Sequence, residues 1–192
     1  AESVINAASG VYSDKAVNAV KAMLNYGTAA QQYFGYNTDN PANSIMTDDD
    51  KNMDMVGFNT YTGKLVNADS VSGISYYGSS LVLESDTILR NYFELSDGYS
   101  IDNYTFYVKD KDGNKNIIVP QKTDASLYYI DISNVKAYEL ADNVNIYVQK
   151  NGDSEDKIMM LEYGAYVYAR YVDKYLDNTA LKNLMTAMYH YC

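Results

Sequence analysis

The sequence predicts an α+β chain: an antiparallel β-sandwich of six to seven strands, Ig-like, flanked by an N-terminal helix and two C-terminal helices. Three observations predict it. Apolar residues recur at steps of three and four near both ends of the chain. They alternate at period two between residues 74 and 161, and Asp-Gly and Asn-Gly turns separate the alternating runs. The order reads as one module over 1–192: the N-terminal helix at 13–35, a polar connection at 45–72, the sandwich at 74–161 and the C-terminal helices at 162–192. Such terminal helices pack together or on one sheet face.

In the first helix, Ser13 or Asp14 is placed to cap a stripe of Val17, Val20, Leu24, Gly27 and Phe34, with Ala16, Met23 and Ala30 beside it. Glycine costs about 1 kcal/mol relative to alanine inside a helix, so Gly27 signals the close approach of another element. Gly35 supplies the permissive dihedrals of a helix end, and Pro41 keeps the helix from resuming. The polar "YNTDNPAN" is therefore helix termination and loop rather than a metal signature. A candidate for the neighbour at Gly27 is the last helix, because "VKAMLNYG" at 20–27 is echoed by "MTAMYHYC" at 185–192.

Within the connection only "MVGFNTYTG" reads as a short strand or turn. The strands follow as "ISYYGSSLVLES", "TILRNYFEL", "NYTFYVK", "NIIVP", "LYYIDI", "VNIYVQ" and "KIMMLEY", with "KDGN" and "NGDS" as hairpin turns and "NVKAYELAD" as one helical turn. Leu161, Ala165, Tyr168, Val172 and Leu176 form the next helical stripe. Thr179 then caps a last helix that presents Leu181, Leu184, Met185 and Met188.

Composition excludes several functions. The net charge is −10 with no basic stripe, which argues against nucleic acid and anionic membrane as partners. No apolar run approaches the roughly 18 residues of a membrane span, so no membrane insertion is expected. The single cysteine, Cys192, permits no internal disulfide and no Cys/His zinc site. "AESVINAAS" lacks the charged start and apolar run of a signal peptide and reads as the start of an excised piece.

Chemistry-bearing constellations are few. Asp48, Asp50, Asn52 and Asp54 alternate like a calcium loop, but the sixth and twelfth positions are Met53 and Asn59 where glycine and glutamate are needed. "DKDGNKN" alternates Asp110, Asp112, Asn114 and Asn116 within an ordinary hairpin turn. The one histidine, His190, lies in the last helix, and Ser133-x-x-Lys136 is a bare four-residue match. No phosphate-cradling glycine motif occurs. The 25 acidic residues make any glycosidase pair arbitrary. No catalytic residue, metal or cofactor is expected, and the chain reads as a non-enzyme.

Tyrosine is the outlier, with 22 copies against no tryptophan and four phenylalanines. Alternation places Leu89, Phe93 and Leu95, Tyr104, Phe106 and Val108, Tyr128, Ile130 and Ile132, and Val144, Ile146 and Val148 in the core. It turns outward Arg90, Tyr92 and Glu94, Thr105, Tyr107 and Lys109, Tyr129 and Asp131, and Asn145, Tyr147 and Gln149. Arg90, Tyr92, Tyr107, Tyr129 and Tyr147 are thus the candidate ligand-binding residues, since aromatic rings among polar groups suit sugars or a protein partner. The competing reading covers them with helices or pairs them across strands.

Four stretches, "VKAMLNYGTAAQQYFGYNTDNPAN", "ISYYGSSLVLESDTILRNYFEL", "YYIDISNVKAYELADNVNIYV" and "LKNLMTAMYHY", carry a resemblance over nearly the whole chain. It resembles an uncharacterised helix and β-sandwich module, often C-terminal, in large secreted and cell-surface proteins of gut and rumen Clostridia. The resemblance implies a non-catalytic accessory module on the surface of, or secreted by, a Gram-positive bacterium, with no catalytic residues to carry over. Members usually continue the last helix with an alanine-rich, aromatic-ended stretch, whereas this sequence stops at Cys192. The expected function is binding or adhesion to a glycan or a host protein of mucin or immunoglobulin type. The alternatives are a structural spacer contacting neighbouring modules and, last, a glycan-active enzyme.

Overall fold

A computed structural model of the chain describes residues 14–44, 57–83, 86–136 and 139–191. Ser13 and the acidic run around Asp48 lie outside the described residues. The chain divides into two compact units, one of residues 1–59 with 169–192 and one of residues 60–168.

The first unit holds α1 (Asp14–Phe34), α3 (Thr179–Tyr191) and the later part of α2 (Ala165–Tyr175). No described helix is long and apolar enough to cross a membrane. Helices α1 and α3 pack against each other, and the Tyr26 and Tyr191 rings stack with centroids 5.7 Å apart and planes 10° from parallel. These two tyrosines occupy equivalent places in the echoed octapeptides. The face that α1 buries is Leu24, Asn25, Thr28 and Ala29; of the expected stripe only Leu24 is fully buried, and Met23 and Phe34 are exposed.

Two buried polar residues explain the rotation of that face. The Asn43 N–H donates to Thr28 Oγ1 at 2.8 Å, and Asn43 Nδ2 donates to Asn25 Oδ1. Gln31 completes the clasp by accepting from the Ala42 N–H at 2.6 Å and donating to the Asn37 and Asn40 carbonyls at 3.3 and 3.2 Å. The polar loop after the helix thus folds back along it, and the buried Asn43 N–H finds its partner in the Thr28 hydroxyl. A Cβ on Gly27 would lie 3.0 Å from the Ala42 Cβ. The atom that crowds Gly27 therefore belongs to this returning loop, rather than to the terminal helix expected there.

Gly35 closes α1 at φ +64, and the Tyr36 N–H reaches the Gln31 carbonyl at 3.0 Å, the bond of a Schellman stop. At the start of α3 the cap is Asn178, not Thr179. Asn178 Oδ1 accepts from the Leu181 N–H at 3.0 Å, which satisfies an orphan donor of the first turn. Leu181, Leu184, Met185 and Met188 are buried as the periodicity requires.

Among the described residues the second unit holds nine strands: β1 (Lys64–Val66), β2 (Ile74–Leu83), β3 (Thr87–Leu95), β4 (Tyr104–Lys109), β5 (Lys115–Ile118), β6 (Gln121–Lys122), β7 (Tyr128–Ile132), β8 (Val144–Lys150) and β9 (Ile158–Tyr163). They form a five-stranded sheet in the order β1-β9-β8-β4-β5 and a four-stranded sheet in the order β2-β3-β7-β6, with every pairing antiparallel. The α+β class and the sandwich-like pair of antiparallel sheets match the period reading; the number of strands does not. β1 lies in the stretch read as a polar connection, and β6 follows Pro120. At three and two residues, both are too short to display alternation. Leu161, placed on a helical stripe, belongs to β9 opposite Ile146 and Leu65.

The two sheets meet where Phe93 of the smaller packs on Phe106 of the larger, edge to face with centroids 5.1 Å apart. Leu89, Phe93 and Ile130 are fully buried on one side, and Phe106, Ile146, Val148 and Met159 on the other. A bulge between Tyr76 and Gly78 resets β2, so Tyr76 packs on Phe93 at 6.0 Å while Tyr77 is exposed. The alternation also places Asn91 among the core residues. Its Oδ1 accepts from Ser79 Oγ, and Ser79 in turn meets the Tyr76 hydroxyl at 2.7 Å. Since Ser79 donates to Asn91, Tyr76 is the donor to Ser79.

Truncating the inter-sheet aromatic leaves a cavity. Phe93→Ala should destabilise the sandwich by about 3–5 kcal/mol. Urea unfolding followed through strand amide exchange measures it, and Tyr77→Ala at the exposed bulge should stay within about 0.5 kcal/mol of wild type.

Candidate recognition surface

Antiparallel register assembles part of the expected surface on the outer face of the smaller sheet. Arg90 lies opposite Asp131, Tyr92 opposite Tyr129, and Tyr129 opposite Gln121. Arg90 Nε and Nη2 donate to the two Asp131 carboxylate oxygens, both at 2.7 Å. The same guanidinium lies 4.1 Å from the centre of the Tyr129 ring. The Tyr129 hydroxyl donates to Gln121 Oε1 at 2.7 Å. Tyr92 stands beside Tyr129 with ring centroids 6.1 Å apart, and Ser80 Oγ donates to its hydroxyl at 3.4 Å.

The cluster is half-buried, with Arg90 and Asp131 side chains 26% and 20% exposed. A bidentate pair in this setting orients both groups, and the cation over the ring adds to that. Hydrogen bonding to Asp131 pushes the Arg90 pKa further up, so the guanidinium is a permanent cation. Two side chains are thereby locked by their neighbours, with little rotamer freedom left to lose when a partner docks.

Tyr107 and Tyr147 lie elsewhere, paired with each other on the outer face of the larger sheet. Their rings stack at 5.1 Å with planes 11° apart. Lys115 Nζ lies over Tyr107 at 4.7 Å, and Lys109 Nζ over Tyr147 at 5.0 Å. Tyr107 is 0% exposed and, among the described residues, its hydroxyl has no hydrogen-bond partner. Burial pushes its pKa up. The expectation of Tyr107 as an outward ligand residue is therefore corrected: the residue is fully buried, with Tyr147 stacked on its ring and Lys115 Nζ over it.

The five candidate residues do not make one surface. Arg90, Tyr92 and Tyr129 come together; Tyr107 and Tyr147 form a separate stack on the other sheet. Single-strand alternation tells inward from outward but not which sheet a strand joins. Asp131 as the partner of Arg90, together with Gln121 and Ser80, was missed as part of the cluster. A signal for the pair existed: Arg-x-Tyr at 90–92 run antiparallel to Tyr-x-Asp at 129–131 matches charge to charge and ring to ring.

The remaining candidates resolve into local structure. Asp110 is taken up by its own turn, accepting from the Asp112 and Asn114 N–H groups at 2.9 and 2.8 Å, and the Asn114 contacts lower its pKa. Among the described residues no group of three or more His, Cys, Asp or Glu could hold a metal ion. His190 is exposed on α3 and meets Tyr189 edge-on at 5.6 Å. Ser133 and Lys136 are exposed beyond β7.

No family model, curated protein or solved structure matches the chain. The functional reading therefore rests on the cluster's own chemistry.

Tyr107 provides a test of the buried stack. A phenol whose pKa is raised by folding contributes stability below its unfolded value near 10, and that contribution is lost as pH rises through the raised folded value. Wild type should therefore lose stability above about pH 10 more steeply than Tyr107→Phe in thermal melts across that range. At neutral pH the variant should be equal or more stable by up to about 1 kcal/mol, because it removes an unpaired buried hydroxyl.

Proposed function

We propose that the chain is a non-catalytic binding or adhesion module of a secreted or surface protein of a Gram-positive bacterium, as its resemblance to Clostridial accessory modules implies. Its recognition residues are Arg90, Tyr92 and Tyr129, with Asp131 and Gln121 holding them in place. The observation that carries this reading is the pre-ordered cluster itself: arginine and two tyrosines, half-exposed, fixed by a 2.7 Å bidentate pair and a 2.7 Å hydroxyl bond. Tyrosine and arginine are the residue types that dominate protein interfaces. Arg90 already occupies one face of the Tyr129 ring, which favours a host protein of mucin or immunoglobulin type over a sugar stacked on that ring.

An immunoglobulin-like arrangement is part of the proposal. The order β2-β3-β7-β6 corresponds to the ABED sheet, and β9-β8-β4-β5 to a GFC sheet with one added strand. β1 is then an extra strand beside β9, and the Phe93–Phe106 contact between the sheets supports the reading as a central inter-sheet pair.

A second reading, a spacer contacting neighbouring modules, is favoured by a different observation. Tyr171 and Tyr175 on α2 lie 5.4 Å apart, ring to ring, and both are exposed.

An array of glycans and host mucins and immunoglobulins, probed with the whole chain, tests the leading reading. Hits are expected on wild type and should weaken roughly 30-fold on Tyr129→Ala and on Arg90→Ala, the size of an interface hot spot. Tyr175→Ala should leave them unchanged. An array without hits, or hits indifferent to the Tyr129 and Arg90 changes, overturns it; losses confined to Tyr175→Ala move the interface to α2.

A further inference from the structure

β5 is an outermost strand of the larger sheet, bonded to β4 on one side and, among the described residues, to no strand on the other. The hairpin bond from the Asp110 N–H to the Asn114 carbonyl sets the phase of the ladder. Bonded and non-bonded pairs alternate from there. Asn116 and Ile118 direct their backbone groups at β4, and Lys115 and Ile117 turn theirs to the free side. The side chains of this edge are open as well, with Ile117 61% and Val119 77% exposed.

Natural sheets protect such edges with charge, proline or bulges, because unpaired N–H and C=O groups beside apolar side chains template a further strand. Here the protection is selective. "KNIIVPQK" at 115–122 carries two lysines and no acid in a chain of net charge −10, and Lys109 stands opposite Lys115. The nearby acids do not cancel this. Asp110 is engaged by its own turn, Asp112 lies in that turn with its N–H on Asp110 Oδ1, and Glu155 meets Lys115 Nζ at 4.0 Å from a 91% exposed side chain, a pair worth little in water. A second copy of the chain would bring the same lysines against this edge, so self-pairing is disfavoured.

We propose that β5 is a docking edge for an extended peptide segment of another protein, which adds to the larger sheet as a further strand. Main-chain bonds to Lys115 and Ile117 supply affinity. Alternating apolar side chains of the peptide cover Ile117 and Val119, and flanking aspartates or glutamates meet Lys109 and Lys115. This edge is distinct from the Arg90–Tyr129 cluster, and neither assignment depends on the other.

A displayed library of random peptides of about twelve residues, the span of such a strand with flanks, tests the edge directly. Wild type should enrich peptides that alternate apolar residues between acidic ends. Ile117→Pro deletes one outward N–H at an edge position that tolerates proline, and unchanged circular dichroism verifies its fold. Selected peptides, resynthesised, should bind Ile117→Pro and Lys115→Glu at least roughly tenfold more weakly, the loss of one or two hydrogen bonds or a charge contact. The chain alone should sediment as a monomer. No enrichment, or peptides that bind Ile117→Pro as tightly as wild type, overturns the proposal. A dimer abolished by Ile117→Pro also overturns it, by assigning the edge to a second copy.

Discussion

The contact between Phe93 and Phe106 is the constraint on which the sandwich depends. Once these rings meet edge to face between the sheets, pleating fixes the direction of every other side chain on β3 and β4. A shift of one residue on either strand would bury Arg90 or Lys109 and expose a phenylalanine, a cost no surface contact could offset. Neighbouring strands inherit their phase through register: β7 from β3, β8 and β5 from β4, and β9 from β8. The polar cluster around Arg90 is a consequence of this phase. Its members are brought together by the need to hold the core's rows in line.

The same phase produces two quite different outer faces. On the smaller sheet, opposite charges and rings face one another, and the side chains lock each other while keeping part of their surface in water. On the larger sheet two tyrosines stack flat and two lysines lie over them. Lys109 and Lys115 oppose each other as like charges, an arrangement unfavourable by itself and offset by the ring faces beneath. Among the described residues Tyr107 ends up buried with an unpaired hydroxyl, and no side chain of the smaller sheet shares that local tension.

Much of the fold was legible because period is a direct physical signature. Val144, Ile146 and Val148 alternate, and Leu181, Leu184, Met185 and Met188 step by helical turns; both sets are placed as their spacing demands. What escaped has definite reasons. β1 and β6 are too short to carry a period, and Asn91 is polar yet buried because Ser79 satisfies it. The face of α1 is set by Asn25, Thr28 and Gln31 gripping the loop at Ala42 and Asn43, a tertiary clasp invisible to a hydrophobic count. For the site, inward and outward could be told strand by strand. The partition of Arg90, Tyr92 and Tyr129 from Tyr107 and Tyr147 could not, because it depends on which strands share a sheet.

Nitration of the folded chain by tetranitromethane, read tyrosine by tyrosine by mass spectrometry, tests the phase set by Phe93 and Phe106 most directly. Tyr77 should react fastest of the strand tyrosines, Tyr92 and Tyr129 at intermediate rates, and Tyr104 and Tyr107 only on unfolding. A Tyr107 that reacts as readily as Tyr77 while the chain remains folded would contradict the account, because the strand carrying it would then be out of phase with the core.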